Sequence, residues 1–338
     1  MAEKAIRWGI VATGWIAAKF AEACAFESAR TGKSVLAAVA SRSADKAASF
    51  ARQWGIPRAY GSYEALFDDP GIDAVYVATP HNLHPELSIA AMRAGKAVLC
   101  EKPVSIRAAE LYPVIETARE CKTFYMEAMW MRFNPTVRKA MDWIASGRIG
   151  TPLFIRADFF LNAPYDPRSR YFDPVLGGGA LLDVGIYPVT FALMAAGNRA
   201  PDLVESNLVR LPNGVDLRDR IRFEWTDGLS ADLSSAINLP GIEFFRSAAV
   251  AGPRGAIILP LFWMAQKATM VDPEGALIDS FDAPFDCNGY EYEIREVEDC
   301  LGLGLTESPV QTWADSIMVM ELLDGIRQNS TNQDGRAR

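Results

Sequence analysis

The sequence predicts an α/β domain with a doubly wound parallel sheet, followed by an α+β domain with a mostly antiparallel sheet. Two observations lead to this prediction. Short apolar runs alternate with helical stretches over residues 1–125, whereas longer strand-like segments dominate residues 126–338. Short, continuous apolar runs are typical of strands buried on both faces, and their alternation with helices indicates βαβ units. A chain of 338 residues is also long enough for about two domains of ordinary size.

The first domain is predicted to contain five strands with helices between them. The apolar runs that predict strands are Ile6–Val11, Val35–Ala40, Ala74–Ala78, Ala97–Cys100 and Thr123–Met126. The segments with helical character are Ile16–Ser28, Ala44–Trp54, Tyr63–Phe67 and Pro85–Ala94. Turn signals separate some of them. Asp69, Pro70 and Gly71 precede the third strand, and Gly95 follows a helix at a position where glycine commonly ends one.

The second domain is predicted to open with a helix over Pro135–Ser146, and most of its sheet follows that helix. The strand-like segments are Pro152–Leu161, Leu203–Arg210, Asp219–Trp225, Ser230–Asn238, Arg246–Ala251 and Ala268–Val271. Asp227 and Gly228 predict a tight hairpin turn, and Asp272–Gly275 predicts another turn. Helices starting near Tyr290 and Pro309 are expected to close the domain, and the polar residues from Asn329 onwards are expected to be frayed.

The composition argues against several classes of partner. The formal net charge is −8, whereas a nucleic-acid-binding protein needs a basic face that displaces counterions from phosphates. No apolar run approaches the roughly 18 residues of a membrane-spanning helix, and the N-terminus does not resemble a signal peptide. The five cysteines are scattered without a CxxC pair, which favours neither a zinc site nor a disulfide framework. We therefore expect a cytoplasmic protein without a metal, a membrane or a nucleic acid as partner.

The turn after the first strand resembles a dinucleotide-binding turn. The usual pattern is G-x-G-x-x-G/A, and here its three positions are Ala12, Gly14 and Ala17. The central glycine lets the backbone approach a pyrophosphate, and the following helix N-terminus offers free N–H groups. An ordinary strand-turn-helix connection is the alternative. The cofactor contacts that we predict from this turn are Ala12, Thr13, Gly14, Trp15 and Ile16.

The end of the second strand favours NADP over NAD. NAD-binding folds usually place an acidic residue there, about 20 residues beyond the glycines, to bind the ribose 2′-hydroxyl. No acidic residue lies between Thr31 and Ala44, and the strand instead ends in Ser41, Arg42 and Ser43. A guanidinium flanked by hydroxyls suits a 2′-phosphate. The alternative is that Arg42 is a solvated surface residue.

Two further strand ends carry candidate residues, because the carboxyl ends of parallel strands line the ligand crevice of such sheets. The fourth strand ends in Glu101, Lys102 and Pro103, and Lys102 is predicted to place a cation beside the nicotinamide and a reacting oxygen. The third strand ends in a loop with both histidines of the chain. From that loop we predict cofactor contacts at Thr79, Pro80, His81, Asn82 and His84, together with Glu101 and Lys102. A metal site is disfavoured because no third ligand lies near the two histidines.

The second domain contains a glycine-rich segment with an acid and a phenol. Gly177, Gly178 and Gly179 precede a predicted helix on which Asp183 and Tyr187 are separated by four residues and share a face. An acid and a phenol beside a lysine form a credible proton-transfer set, because a phenol needs a nearby cation to act as a base at neutral pH. The alternative is a helix buried for packing alone. Pro188 is expected to kink or restart this helix.

Taken together, these motifs resemble the Gfo/Idh/MocA family. The resemblance rests on Glu101–Pro103, the loop Thr79–His84 and the segment Gly177–Tyr187, and it covers nearly the whole chain. Arg7–Ile10 and Glu127–Pro135 are similar to the subgroup of dimeric dihydrodiol dehydrogenases and NADP-dependent D-xylose 1-dehydrogenases. The resemblance implies a Rossmann domain, an open-faced antiparallel sheet, and hydride transfer between nicotinamide and a carbinol carbon of a sugar, polyol or cyclic trans-dihydrodiol.

The resemblance also implies roles for individual residues. Lys102 corresponds to the family lysine, Tyr187 to the acid/base position and Asp183 to the family aspartate. Ala12 departs from the pattern, because most members have glycine there. The substrate-pocket residues that we expect are Trp130, Arg132, Phe159 and Tyr165. A sugar-sensing regulator that keeps the fold without the chemistry is the alternative function, and the presence of all three catalytic candidates argues against it.

The second domain is also predicted to mediate a homodimer or a higher oligomer. One face of an open antiparallel sheet must be covered or solvated. The strand-like segments from Leu203 to Val271, and Ile257–Trp263 above all, are expected to be too apolar for full exposure to water, and large apolar patches usually mark contacts.

Overall fold

The computed structural model describes residues 5–334, and the chain divides into two compact units. The first unit comprises the residues up to Phe133 together with Phe285–Ile317. The second comprises Asn134–Pro284 together with the residues from Met318 onwards.

The sheet of the first unit has six parallel strands in the order β3-β2-β1-β4-β5-β6, which is the arrangement of a doubly wound dinucleotide-binding fold. The strands are β1 (Ile6–Val11), β2 (Ser34–Ala40), β3 (Arg58–Tyr60), β4 (Ala74–Val77), β5 (Ala97–Glu101) and β6 (Tyr125–Ala128). This confirms the predicted fold class. The prediction missed β3, because three residues with an arginine and a tyrosine give no apolar run.

The sheet of the second unit has nine strands in the order β14-β13-β12-β11-β7-β10-β9-β8-β15. The strands are β7 (Phe154–Phe160), β8 (Leu203–Arg210), β9 (Asp216–Glu224), β10 (Ser230–Ala236), β11 (Ser247–Gly252), β12 (Gly255–Pro260), β13 (Lys267–Val271), β14 (Leu277–Asp282) and β15 (Thr331–Asp334). Neighbours are antiparallel except for the pairs β7–β10 and β8–β15. The predicted antiparallel sheet is therefore confirmed, with β12, β14 and β15 in addition to the predicted strands.

Helices cover both units. They are α1 (Trp15–Thr31), α2 (Ala44–Trp54), α3 (Tyr63–Phe67), α4 (His84–Arg93), α5 (Ala108–Cys121), α6 (Pro135–Ala145), α7 (Ile186–Ala195), α8 (Glu291–Gly302) and α9 (Trp313–Asn329). The predicted bounds of α2 and α3 match the structure, and both helices begin after a serine, Ser43 or Ser62, whose hydroxyl accepts a hydrogen bond from a first-turn N–H. A turn of π-helix, Leu181–Gly185, leads directly into α7.

The division into units differs from the predicted single boundary at residues 125 and 126. The strand β6 extends to Ala128 within the first sheet, and the chain returns to the first unit at Phe285. On α8, Ile294 and Val297 are fully buried in the core that surrounds Trp8 and Phe20. The return was not predicted because an amphipathic helix carries no signal for the sheet against which it packs.

Two expectations about the second unit were wrong. The tail beyond Asn329 is not entirely frayed, because Thr331–Asp334 pairs with β8 and the amide of Asn207 donates to the Thr331 hydroxyl at 2.8 Å. In the apolar segment that was expected to face a partner, Ile257, Leu259, Phe262 and Trp263 are at most 7% exposed. These side chains belong to the interior of the second unit. Ile258, at 37%, is the exposed large side chain of this segment.

One helical stretch, Pro174–Ala195, is long and apolar enough to cross a membrane by length and composition. It is 83% buried over its most apolar part. Burial of this kind is typical of a core helix, and the stretch is weak evidence for a membrane span.

Candidate active site

The turn between β1 and α1 has an uncommon backbone and an uncapped helix. Ala12 has a φ of +93°, a value that favours glycine. Gly14 precedes α1 in an extended conformation, no side chain caps the helix, and its first turn contains no acidic residue. A Cβ added at Gly14 would meet no heavy atom within 4 Å. The N-terminus of α1 therefore faces open space, where its N–H groups suit an anion.

The end of β2 presents Arg42 next to an aromatic hydroxyl. Arg42 is exposed, and its positive charge lies close enough to Tyr63 to oppose the burial-driven rise in the pKa of that tyrosine. The hydroxyl of Ser43 accepts from the Lys46 N–H at 3.4 Å, and the hydroxyl of Ser41 accepts from the Ser43 N–H at 3.3 Å. The three predicted residues thus form a short polar turn, and sequence reasoning missed Tyr63, whose position after a turn carries no motif.

The loop after β4 is locked by His84. Its ring is fully buried, and its nitrogens lie 2.8 Å from the carbonyl oxygens of Thr79 and Pro103. Burial lowers the pKa of His84, and a neutral ring donates from one nitrogen only. His84 therefore holds the loop in place instead of presenting its ring to a ligand. Within residues 5–334, no group of three or more His, Cys, Asp or Glu side chains is placed to hold a metal ion.

Two polar atoms of the same loop are buried without a partner. Thr79 Oγ1 and Asn82 Oδ1 are inaccessible to water and find no hydrogen-bond partner in the described part of the chain. Buried polar atoms are almost always paired in native proteins. The two atoms are therefore candidates for contact with a bound ligand.

The end of β5 fixes the backbone of Lys102. The Tyr76 hydroxyl donates to Glu101 Oε1, while Glu101 Oε2 accepts from the Lys102 N–H at 3.2 Å. Glu101 is thus turned towards the interior, and its effect on a ligand is through Lys102. The ammonium of Lys102 lies close enough to Glu127 to oppose the rise in the pKa of that carboxyl on burial.

Asp183 lies in the π-helical turn and forms an ion pair that was not predicted. Arg170 Nη1 lies 2.6 Å from Asp183 Oδ1, and the guanidinium also lies 4.2 Å from the ring centroid of Tyr171. The carboxylate raises the pKa of Arg170 against the effect of burial. The sequence gives no signal for Arg170, because it sits in an irregular polar segment without a periodic pattern. Turns of π-helix are rare and frequently occur at functional sites.

Tyr187 is surrounded by aromatic rings. Its ring centroid lies 5.6 Å from that of Phe159 and 6.5 Å from that of Trp263. Phe159 and Trp263 stack at 3.6 Å with an interplanar angle of 14°. Phe159 was expected beside the reacting group, whereas Trp263 was misassigned to a contact surface. Tyr187 itself is 6% exposed.

The other expected pocket residues have different surroundings. Tyr165 is 50% exposed and packs edge-on against Phe172. Trp130, in the first unit, stacks on Tyr290 at 5.0 Å.

Arg132, which was expected in the pocket, lies in a buried ion pair. Its side chain is 3% exposed, its Nη2 lies 3.4 Å from Asp315 Oδ1, and its Nη1 donates to the Val310 carbonyl at 3.5 Å. A guanidinium held in this way contributes to the interior of the first unit.

Two family models match most of the chain. The model described as the GFO/IDH/MocA oxidoreductase family with an NAD-binding Rossmann fold matches residues 6–129. The model of the GFO/IDH/MocA C-terminal domain matches residues 137–258.

Several similar curated proteins share a name. Trans-1,2-dihydrobenzene-1,2-diol dehydrogenase of Xenopus laevis is 36% identical over 95% of this chain and 96% of its own length. The protein of that name from Homo sapiens is 33% identical over 96% of both chains.

Solved structures share the fold. A 3-ketoreductase from Actinomadura kijaniata in complex with NADP and TDP-benzene superposes with a TM-score of 0.86 at 24% identity, over 98% of this chain and all of its own. The aldose-aldose oxidoreductase from Caulobacter crescentus superposes with a TM-score of 0.85 at 23% identity, over 97% and 98% of the two chains.

Proposed function

The chain belongs to the Gfo/Idh/MocA family of oxidoreductases, and from this premise we propose that it oxidises a cyclic trans-dihydrodiol with NADP. The Phe159–Trp263 stack beside Tyr187 carries the proposal. A wall of two parallel aromatic rings favours a flat, unsaturated ring over the polyhydroxylated face of a sugar, because aromatic rings bind apolar and π surfaces. The names of the similar curated proteins support the same substrate class. Sugars and polyols are the other substrates to test.

The residues at the carboxyl ends of β1, β2 and β4 fit a dinucleotide. The uncapped N-terminus of α1 suits its pyrophosphate, and the partnerless atoms of Thr79 and Asn82 suit its polar groups. Arg42, supported by Tyr63, would pair with the 2′-phosphate that distinguishes NADP from NAD. When bound, the cofactor supplies the acceptor for the hydride of the carbinol carbon.

Tyr187 and Lys102 are proposed to move the proton. The Tyr187 phenol would take the proton from the substrate hydroxyl as the carbinol hydride leaves, and the positive charge of Lys102 would favour the phenolate. The two residues belong to different units, and their cooperation is proposed on chemical grounds and on the motif resemblance. Tyr187 is held by Phe159 and Trp263, so its hydroxyl has little freedom to move.

Asp183 is proposed to orient the substrate diol or Lys102. The ion pair with Arg170 fixes the Asp183 side chain. A fixed carboxylate accepts hydrogen bonds from hydroxyls in a defined direction, and such contacts discriminate strongly between hydroxyl arrangements.

A second copy of the chain is proposed to cover one face of the nine-stranded sheet. A cavity of about 910 Å³ lies on this sheet, lined in part by Arg218, Arg220 and Asp232. Arg218 and Arg220 have no ion-pair partner among residues 5–334, and Phe154 on β7 and Leu203 on β8 are 37% and 47% exposed. A self-complementary surface of this mixed kind suits a two-fold contact. Light scattering that shows a monomer at micromolar concentration would exclude it.

The test is turnover with defined substrates. Trans-1,2-dihydrobenzene-1,2-diol, aldoses and inositols are offered with NADP⁺ and with NAD⁺, and formation of the reduced cofactor is followed by absorbance.

Tyr187→Phe keeps the ring and removes the hydroxyl, so turnover should fall about 10²–10⁴-fold, while NADP binding by calorimetry should stay unchanged. Tyr112→Phe, at an exposed position on α5, is the matched control. Equal activity of Tyr187→Phe and Tyr112→Phe would refute the assignment, and NADP binding without turnover on any substrate would favour a sensing role.

A further inference from the structure

A pair of buried carboxyl groups lies under the helical segment that carries Asp183 and Tyr187. Asp216 and Asp219 are both on β9, and they are 5% and 1% exposed. Residues three apart on a regular strand face opposite sides. Here the register with β8 shifts, because Arg210 pairs with Asp216 and Val209 pairs with Arg218, so that one extra residue bulges from β9. The bulge turns both carboxyl groups to the interior.

Asp216 takes the place of a helix cap. Its Oδ2 accepts a hydrogen bond of 2.6 Å from the Leu181 N–H, at the first residue of the π-helical turn and 35 positions away in sequence. A side chain on Gly179, whose φ is +130°, would overlap Asp216 Oδ1. A negative charge at this position also interacts favourably with the positive end of the helix dipole.

One carboxyl oxygen of Asp219 is buried without a hydrogen-bond donor among the described residues. Its Oδ2 accepts from the Ser235 hydroxyl at 2.5 Å, whereas its Oδ1 receives no hydrogen bond from any donor in the described residues. The carboxyl of Asp216 lies within hydrogen-bonding reach. A proton held between the two carboxyl groups would supply the missing bond, as in other pairs of carboxylic acids that share a site.

The surroundings favour one proton for the pair. Burial and the charge of Asp216 hold the pKa of Asp219 well above its ordinary value. Burial raises the pKa of Asp216 too, but the Leu181 N–H opposes that rise. The charged groups that face the pair are Arg210 on β8 and Arg327 on α9, and both favour a single negative charge. These surroundings favour a single shared proton, and the stronger rise in the pKa of Asp219 favours Asp219 as its holder.

The pair is also linked, through Ser235, to the second end of the helical segment. A side chain on Gly185 would place its Cβ 2.7 Å from the Ser235 hydroxyl, so Gly185 lies directly on the residue that donates to Asp219. Leu181 and Gly185 bound the turn that contains Asp183, and Tyr187 follows two residues later. A change in either carboxyl group therefore alters contacts at both ends of that turn.

We propose that Asp216 and Asp219, sharing one proton, are positioning residues that hold the turn with Asp183 and the start of α7 with Tyr187 in place. The effect on catalysis rests on the proposed function, whereas the shared proton and the held turn do not. Neither aspartate contacts substrate in this proposal. Their effect is exerted through Leu181 and Gly185.

The first test uses infrared difference spectra of the full chain at neutral pH. Asp219→Asn should remove one band of a protonated carboxyl, because the amide replaces the neutral acid. The matched control is Asp299→Asn, at an exposed position on α8, which should leave the band unchanged. An identical protonated-carboxyl region in wild type and Asp219→Asn would overturn the shared proton.

The second test measures amide hydrogen exchange over residues 181–187 without substrate or cofactor. Asp216→Asn keeps an acceptor but loses the charge that the helix dipole favours, so exchange there should accelerate about two- to fivefold. Asp219→Asn should exchange as wild type does, because its amide still donates to Asp216 and accepts from Ser235. Wild-type exchange in Asp216→Asn would overturn the positioning role. If Asp216→Asn fails to fold, the result for Asp219→Asn still decides, since faster exchange there would contradict the proposal.

The third test separates this inference from the proposed function. If the chain oxidises a dihydrodiol, Asp216→Asn should lower kcat about tenfold with an unchanged KM for NADP, while Asp219→Asn should retain activity. If no substrate is turned over, the proposed function fails, and the infrared and exchange results stand on their own.

Discussion

Ala12 offers a test of the cofactor turn that separates backbone strain from side-chain contacts. Its φ of +93° is one that residues with a Cβ rarely adopt, and such conformations cost about 1–3 kcal/mol. Glycine would relieve that strain, but it loses about 0.5–1 kcal/mol more conformational freedom on folding. The difference predicts that Ala12→Gly raises the free energy of unfolding by about 1 kcal/mol. For a unit of this size, that corresponds to a rise in Tm of about 2–4 °C.

The matched control is another alanine a short distance along the chain. Ala18 lies inside α1 with helical geometry, so Ala18→Gly should destabilise the protein by about 1 kcal/mol. The two substitutions are chemically identical and should shift the Tm in opposite directions. Differential scanning calorimetry of the cofactor-free protein measures both. A fall in Tm for Ala12→Gly, similar to that for Ala18→Gly, would refute the presence of strain at this turn.

Three further predictions concern the cofactor, a buried ion pair and a buried acid. Arg42→Ala should raise the KM for NADP at least tenfold while that for NAD changes little, and equal changes in steady-state kinetics would remove the phosphate role. Arg132→Ala should destabilise the protein by about 3–5 kcal/mol in urea titrations, because it leaves Asp315 buried and unpaired; a loss of less than 1 kcal/mol would contradict this. Glu293 is fully buried, neither of its carboxyl oxygens has a partner among the described residues, and burial raises its pKa well above the ordinary value. The stability that its neutral form contributes is fully present below about pH 4.5, the ordinary pKa of a glutamate. That stability is lost as the pH rises through the folded-state pKa. Glu293→Gln should therefore raise the Tm increasingly from pH 5 to pH 9, and a constant difference would show that ionisation is not involved.

Local signals predicted the elements of the first unit well. Ser43 and Gly55 bracket α2, and the two residues alone explain why its bounds could be placed correctly. Short apolar runs indicated the strands, because strands that are buried on both faces of a parallel sheet are continuously apolar. The short strand β3 and the helix α5 were missed, since the first lacks an apolar run and the second has Pro113 within its length.

The site residues that sequence reasoning missed depend on contacts between distant positions. Arg170 reaches Asp183 from an irregular segment, and Trp263 reaches Phe159 from a short 3₁₀-helical turn about 100 positions away. Asp216 caps a helix that begins 35 positions earlier in the chain. Periodicity and motifs describe neighbours along the chain, so they contain no information about such pairs. The ion pair of Arg132 with Asp315 was missed for the same reason, because the two residues are far apart in the sequence.

The return of the chain to its first unit has a consequence for synthesis on the ribosome. The core around Trp8 is complete only when Ile294 and Val297 have been made, and the second unit also includes residues from Met318 onwards. Neither unit can therefore finish folding as an independent nascent domain, although domains generally fold as units during translation. The parallel sheet remains without these side chains while about 150 intervening residues are synthesised. Chaperone binding during this period would protect its exposed apolar surface from aggregation. An isolated cofactor-binding fragment would consequently have to join Phe133 to Phe285 by a linker, and truncation after β6 would leave a core open.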